Sequence, residues 1–191
     1  MLNFERKKEI LLKKADRVTI CLDWQENVFD GDCFELTSCA LLCNKAGKLP
    51  SEKEFIFYNQ QTHASNSVHH SIYHRFGQAF DAQDDEECET IEVQFDSVPD
   101  DIQKIFLAVT IFKAKERNQN FGQIEDAYLK IYNSLSCEEI YSCDLQEDFP
   151  LERTIILGSF VKNDDDFWCF SSNPIPLDGS IVDLASAFES D

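Results

Sequence analysis

A run of carboxylates is the feature of this sequence with the clearest chemistry. Its members are Asp81, Asp84, Asp85, Glu86 and Glu87. Calcium takes about six to eight oxygen ligands from acidic loops, so the run is a candidate calcium site. A second acidic group comprises Asp23, Asp30, Asp32 and Glu35. Both groups can serve one ion if their loops lie at the same end of the fold. The alternative is a solvated acidic loop, because no EF-hand pattern is present.

All four histidines fall between residues 59 and 87, a stretch predicted to be a long loop. They are His63, His69, His70 and His74. Imidazoles bind transition metals when the fold brings them together, and His70 and His74 would share one face of a helix. The alternative is a surface loop that collects polar residues, and the role of this loop stays open.

Motifs typical of catalysis are absent from the sequence. It contains no Gly-x-Ser-x-Gly elbow, no P-loop and no glycine fingerprint for dinucleotides. A histidine paired with a cysteine or a metal is the remaining enzymatic alternative. We therefore expect a protein that acts by binding and is not an enzyme.

Eight cysteines raise the question of disulfide bonds. A chain of 191 residues can bury enough core to fold without them, and Cys-x-x-Cys pairs are absent. Several cysteines lie within apolar runs, where a thiol acts as a small hydrophobic group. These are Cys21, Cys39, Cys43 and Cys169. Free thiols in a reducing compartment are expected, with a disulfide framework as the alternative.

The composition is typical of one globular domain, with 43% apolar residues and 16 phenylalanines. No apolar run reaches the roughly 18 residues of a membrane span, so no transmembrane segment is expected. The first residues lack the apolar core and the cleavage site of a signal peptide. The sequence therefore predicts a cytoplasmic protein.

The charge is strongly negative and unevenly distributed. The formal net charge is −19, yet residues 1–17 carry six basic and three acidic side chains, a net charge of +3. The remaining residues carry 11 basic and 33 acidic side chains, a net charge of −22. Such a surface repels nucleic acid and favours cations or basic protein partners. Solubility alone is the alternative explanation.

The N-terminal residues have a helical period. One face comprises Phe4, Lys8, Leu11 and Leu12. We expect residues 1–16 to form a basic N-terminal helix and residues 17–191 to form the main domain. A basic amphipathic helix either associates peripherally with an anionic membrane or packs on its own domain.

Short strands account for most of the remaining chain. They are predicted at residues 18–22, 34–43, 55–58, 90–95, 104–112, 128–132, 140–145, 154–161 and 167–171. The acids at 164–166 are predicted to form a turn, and Ile181–Phe188 a C-terminal helix. This pattern favours a mainly β fold, an antiparallel β-sandwich with a short helix at each end.

Six segments, taken in order, resemble the tellurium-resistance TerD family. Residues 22–24 resemble its Gly-Trp-Asp segment, and residues 34–40 resemble its Phe-Asp-Leu-Asp-Ala-Ser-Ala strand. The Phe-Ile-Phe-Tyr-Asn run at 55–59 matches a run of the family. The other segments are 84–86 (Gly-Asp-Asp-Glu in the family), 98–111 (Val-Pro, Lys-Ile, Val-Thr-Ile) and 120–123 (Ser-Phe-Gly-Gln). The resemblance covers residues 17–170.

The resemblance implies a β-sandwich that binds calcium through loop acids at one edge. It also implies a non-enzymatic role in bacterial stress response, with protein partners that include related stress-response proteins. The ligands it implies are Asp84, Asp85 and Glu86 as the core, with Glu35 and Asn59 as further oxygen donors.

Several acids of the family are missing from this chain. The Asp-x-Asp pair of the second strand is Glu35 and Thr37 here, and Cys33 replaces the acid before it. Gln25 replaces the acid of the Trp-Asp pair, and Ile-Tyr-His at 72–74 replaces a Gly-Asp-Asn segment. Because calcium affinity follows ligand charge and number, the alternative is a metal-free scaffold that binds a partner protein.

Overall fold

The computed structural model describes residues 9–25, 33–74 and 87–189, which form two antiparallel sheets and three short α-helices. In spatial order, the six-stranded sheet comprises β1 (Glu9–Leu12), β11 (Trp168–Leu177), β10 (Thr154–Lys162), β7 (Lys104–Ile111), β3 (Leu36–Cys43) and β4 (Phe55–Ile56). The five-stranded sheet comprises β5 (Val68–His74), β6 (Glu87–Gln94), β2 (Arg17–Trp24), β8 (Tyr128–Asn133) and β9 (Glu139–Asp144). The helices are α1 (Ala114–Arg117), α2 (Leu145–Asp148) and α3 (Ile181–Phe188). The predicted mainly β fold and its C-terminal helix are confirmed.

Alternating apolar residues explain why the two sheets pack against each other. Along β2, Val18, Ile20, Leu22 and Trp24 are buried, and the residues between them are half-buried. A strand with this period of two presents one apolar face. That face joins the same core cluster as Leu36, Ala40 and Leu42 of β3, so the main core lies between the sheets.

The second face of β3 is also buried, beneath α3. Cys39, Leu41 and Cys43 form a smaller apolar cluster with Leu184 and Phe188 of the helix. Ser180 caps the helix in a reciprocal box with Asp183, which satisfies amide groups at its first turn. Within the described ranges, no helix is both long enough and apolar enough to cross a membrane.

The predicted N-terminal helix is wrong for the residues that are described. Glu9–Leu12 form a strand, which pairs with β11 from Glu9↔Ser171 to Leu12↔Trp168. Leu12 is 3% exposed and Leu11 is 62% exposed, the alternation of a strand. Short isolated helices are marginal, so the hydrogen bonds offered by β11 decide the conformation. Residues 1–8 lie outside the described residues, and the division at residue 16 stays a prediction.

The predicted long loop at 59–87 is wrong in part, because it contains β5. This strand pairs with β6 from Val68↔Val93 to His74↔Glu87. Val68 and His70 are both fully buried, so a histidine occupies a position of the core face. Because this position carries a polar residue, the sequence does not show the alternation of apolar residues that predicts a strand. The expected helical face with His70 and His74 does not form, because both residues belong to the strand.

Candidate functional site at the acidic edge

Three strands of the five-stranded sheet end side by side at one edge. Trp24 of β2 pairs with Glu87 of β6, and Glu87 also pairs with His74 of β5. The acid-rich segments 26–32 and 75–86 continue from these positions. We call the strand ends at Trp24, His74 and Glu87 the acidic edge. The pairing brings together the points where the chain enters or leaves the two acidic segments.

One carboxylate oxygen of β2 lies next to the acidic edge without a hydrogen-bond partner among the described residues. Asp23 points away from the main core, because Leu22 and Trp24 on either side of it belong to that core. Its Oδ1 atom is buried and has no hydrogen-bond partner in the described part of the chain. A buried carboxylate oxygen is costly unless a donor or a cation satisfies it. Asp23 is therefore a candidate cation ligand.

More carboxylates lie on the same outer face of the five-stranded sheet. Tyr128 of β8 pairs with Asp23 on one side and with Asp144 of β9 on the other. The Asp144 carboxylate is the main cause of a raised pKa at Tyr128, to which Asp126 and Glu147 also contribute. A raised phenol pKa reports a negative local potential, which attracts cations to this face.

The interior next to the acidic edge contains a polar cluster that links the two sheets. Glu89 of β6 accepts three hydrogen bonds at Oε2: from the Ser38 amide (2.6 Å), the Ser38 hydroxyl (3.0 Å) and His70 Nε2 (3.1 Å). All three residues are at least 97% buried. We call Ser38, His70 and Glu89 the intersheet cluster. Because β4 has only two residues, the Ser38 amide has no strand partner on that side and is satisfied by Glu89 instead.

The intersheet cluster is not arranged as a catalytic triad. In a triad the histidine lies between the hydroxyl and the carboxylate, so that it can accept the hydroxyl proton. Here the carboxylate lies between Ser38 and His70, and burial closes the group to substrates. This cluster was not predicted from the sequence. A signal was present, however, because Glu89 shares the period-two face of Ile91 and Val93, which predicts an inward-facing carboxylate.

The two candidate ligands that the structure describes, Glu35 and Asn59, have different surroundings. Glu35 precedes β3, and its carboxylate forms a 2.9 Å ion pair with Arg117. Asn59 is exposed in a turn between Phe57 and Gln60, which hydrogen-bond to each other. Asp84, Asp85 and Glu86 lie outside the described residues, as do Asp30, Asp32 and Asp81. No group of three or more His, Cys, Asp or Glu side chains in the described part could hold a metal ion.

The histidines predicted as a metal-binding group have separate structural roles where they are described. His63 accepts or donates a 2.8 Å hydrogen bond with Ser65, and burial lowers its pKa despite the nearby Glu54 carboxylate. His69 Nδ1 bonds to the Thr62 hydroxyl at 2.7 Å. His70 belongs to the intersheet cluster. The three side chains thus bond to different partners.

Burial makes several of the thiols poor nucleophiles. It raises the pKa of Cys43 to about 12 and raises the pKa values of Cys39 and Cys143 further. A thiol is nucleophilic as the thiolate, so these three cysteines stay protonated and unreactive at neutral pH. Cys33 and Cys137 are exposed.

Comparison with known proteins decides the family. The TerD domain model matches residues 1–188. The chain belongs to the TerD domain family. This TerD-domain chain is 35% identical over 173 residues to General stress protein 16U of Bacillus subtilis, covering 90% of this chain and 86% of that protein. It is 30% identical over 171 residues to the tellurium resistance protein TerD of an Alcaligenes species, with the same coverage. The family resemblance read from the sequence is thereby confirmed.

A solved structure agrees with the TerD-domain fold. The crystal structure of a telluride resistance protein (TerD) homologue from Streptomyces coelicolor matches with a TM-score of 0.71 and 16% identity. The match covers 90% of this chain and 95% of that chain. At this identity the likeness concerns the fold alone.

Proposed function

We propose that this chain is a cytoplasmic, non-enzymatic stress-response protein of bacteria that binds calcium at the acidic edge. The named relatives support the stress-response role, because they include a general stress protein and tellurium resistance proteins. Its partners are proposed to be proteins, including related stress-response proteins, and not nucleic acid. The high negative charge favours basic surfaces of partner proteins and repels nucleic acid.

The observation that carries the calcium proposal is the buried Oδ1 atom of Asp23. It lacks a hydrogen-bond partner among the described residues, and it lies where the acid-rich segments 26–32 and 75–86 meet the sheet. Calcium takes several oxygen ligands from such acidic segments. Asp84, Asp85 and Glu86 are proposed as the core ligands, with Asp23 as a further oxygen donor from the rigid strand.

Glu35 and Asn59 are weaker members of the proposed ligand set. To bind the ion, the Glu35 carboxylate must give up its ion pair with Arg117. Glu35 directly precedes β3 and continues the face of this strand that points away from the five-stranded sheet. Asp23 lies on the outer face of the five-stranded sheet. The two carboxylates therefore face opposite sides of the molecule, which favours a site built around Asp23 and residues 84–86.

The ion pair of Glu35 supports a second candidate function. A predicted ligand that is neutralised by Arg117 within the protein needs no metal. In that case the chain is a metal-free module that binds a partner protein. The two candidates differ in one measurable property, the effect of calcium on stability.

Thermal unfolding of the chelator-stripped protein tests the calcium proposal. A ligand that binds only the native state raises the melting temperature. Calcium at tenfold its Kd stabilises by about 1.4 kcal/mol. In a domain of this size, that corresponds to a rise of about 3–6 °C. We expect this rise with millimolar calcium and a smaller rise with the same concentration of magnesium.

Matched variants identify the ligands in the same assay. Asp84→Asn combined with Asp85→Asn should abolish the calcium-dependent rise, and Asp23→Asn should weaken it. The control is Asp164→Asn combined with Asp165→Asn, which removes two exposed charges from the turn after β10 and should keep the rise. An absence of any calcium-selective rise in the wild type supports the metal-free module. An equal response of all variants contradicts the ligand assignment.

The stress-response part is tested in cells. A Bacillus subtilis strain without General stress protein 16U is given this chain or an empty vector, and survival is counted after exposure to tellurite and to oxidants. The wild-type chain is expected to raise survival above that of the vector. Equal survival under every stress contradicts the role, whatever the outcome of the calcium titration.

A further inference from the structure

A pocket of about 560 Å³ lies on the outer side of the six-stranded sheet. One wall is the turn that leads from β7 into α1, and the other is the segment that leads from β11 into α3. Thr37 and Thr110, on β3 and β7, lie at its floor. A volume of this order accommodates a small organic molecule. None of the lining residues belongs to the acidic edge, so the pocket is independent of the proposed calcium site.

Apolar side chains form a large part of the pocket lining. They are Tyr58, Phe112, Ile181 and Val182. Phe112 directly follows β7 and Val182 belongs to α3, yet their side chains are 37% and 68% exposed. An apolar wall beside open solvent favours a ligand with an aromatic or acyl body.

The charged side chains that line the pocket balance formally, but their hydrogen bonds differ. The basic residues are Lys113, Lys115 and Arg153, and the acidic residues are Glu116, Asp178 and Asp183. Arg153 forms a 3.5 Å ion pair with Asp178, and Asp183 accepts hydrogen bonds from the Ser180 amide and hydroxyl, both at 2.7 Å. Lys113 and Lys115 have no ion-pair partner within 4 Å in the described part of the chain, and the same holds for the carboxylates of Glu116 and Asp183. Asp178 and Asp183 already have donors, whereas the ammonium groups of Lys113 and Lys115 remain available as donors to an anionic group of a ligand.

Hydroxyl protons at the pocket floor fix which end of a ligand lies there. The Thr154 hydroxyl donates to the carbonyl of Gly179 at 2.7 Å. Its single proton is thereby used, so Thr110 must donate in the 2.7 Å bond between the two threonine hydroxyls. Thr110 then offers only acceptor lone pairs to the pocket. An anionic group is disfavoured there and belongs at the wall of Lys113 and Lys115.

The backbone at Lys113 adds an independent indication. Lys113 has a φ of 52°, in the left-handed region that residues with a Cβ atom rarely adopt. Strained residues occur preferentially at functional sites. The residue with this backbone conformation is a lysine that lines the pocket.

We propose that this pocket binds a small organic anion, with an aromatic or acyl body and a single sulfonate, carboxylate or phosphate group. The body packs on Phe112 and Val182, and the anionic group lies between Lys113 and Lys115. The ligand chemistry follows from the lining, and it does not depend on the calcium proposal.

The probe for the test is 8-anilinonaphthalene-1-sulfonate, an aryl anion whose fluorescence rises in apolar surroundings. Its uncharged parent, N-phenyl-1-naphthylamine, measures binding by the apolar body alone. We expect saturable binding of the sulfonate to the folded protein and binding of the parent that is about tenfold weaker, as loss of a charge contact implies. Equal affinities for the two probes contradict the proposed role of the lysines.

Two variants locate the binding site. Lys113→Gln combined with Lys115→Gln should weaken sulfonate binding about tenfold or more. Lys45→Gln combined with Lys53→Gln removes the same charge from exposed sites elsewhere and should leave binding unchanged. Val182→Trp fills the pocket mouth without a change of charge and should also weaken binding. Circular dichroism verifies that each variant is folded.

Two results overturn the proposal. The first is an absence of saturable binding to the wild type. The second is equal binding by the Lys113/Lys115 and Lys45/Lys53 double variants, which would assign the probe to another surface. The lysine pair decides the question even if Val182→Trp fails to fold.

Discussion

Glu89 is a carboxylate in the middle of an apolar core, and it is the hydrogen-bond partner that both sheets share. Its Oε2 atom accepts from the amide and hydroxyl of Ser38 on one sheet and from His70 on the other. Removal of such an acceptor leaves several buried donors without a partner, which costs more than the hydrogen bonds themselves contribute. The residue therefore fixes how β3 lies over β5 and β6.

Substitution of Glu89 tests this role. Glu89→Ala is expected to lower the free energy of unfolding by about 3 kcal/mol, because it leaves three buried donors unsatisfied. Glu89→Gln retains one acceptor oxygen and should cost about half as much. Denaturant unfolding at neutral pH measures both values.

The matched control for Glu89 is Glu92→Gln. Glu92 belongs to the same strand but is exposed on the opposite face, so its substitution should change the stability by less than about 0.5 kcal/mol. A Glu89→Gln variant as stable as the wild type would contradict the proposed role. It would mean that the desolvation of the carboxylate cancels its hydrogen bonds.

At the scale of elements, the N-terminal strand separates two interpretations of the same residues. As a helix, the segment would place Leu11 and Leu12 near one apolar face. As strand β1, it directs Leu12 into the core and Leu11 to the solvent. The two leucines therefore have equal roles in the first case and opposite roles in the second.

Alanine substitutions distinguish the two conformations. Leu12→Ala is expected to destabilise by about 2 kcal/mol or more, because it removes buried apolar contacts. Leu11→Ala should change the stability by less than about 0.5 kcal/mol. Denaturant unfolding of the two variants is the measurement. Equal losses would contradict the strand and restore the helical interpretation.

Elements with local signals could be predicted from the sequence. The strict alternation of β2 and β6 and the capping residues Ser180 and Asp183 of α3 are all visible in the sequence. β1 and β5 could not be recognised in this way. β1 has four residues and depends on pairing with β11, and β5 carries a histidine where its alternation requires an apolar residue.

The candidate sites also differ in whether a local sequence signal predicts them. Acidic residues that are neighbours in the sequence predict a calcium site. Residues 84–86, which are proposed as its core, remain a prediction. The pocket of the six-stranded sheet gave no such signal, because Lys113, Arg153 and Val182 belong to distant segments that only the fold brings together. Glu89 is intermediate, since the period of its own strand marks it as inward-facing.

At the scale of the whole molecule, the net charge of −19 opposes compaction. Like charges over the surface repel one another and destabilise the folded state. Local ion pairs act in the opposite direction, as at Lys162, which contacts Asp166 at 2.9 Å and Asp100 at 3.4 Å. Exposed pairs of this kind contribute about 1 kcal/mol or less, so we expect the long-range repulsion to dominate.

Salt dependence of stability tests this balance. The screening length falls from roughly 20 Å at about 0.02 M salt to roughly 4 Å at about 0.5 M, which weakens the repulsion between surface carboxylates. The melting temperature of the chelator-stripped protein should therefore rise with sodium chloride. The rise should be gradual and shared by the Asp84/Asp85 double variant, whereas a bound calcium ion saturates and requires those residues. A melting temperature that falls with salt would mean that local ion pairs such as those of Lys162 outweigh the net charge.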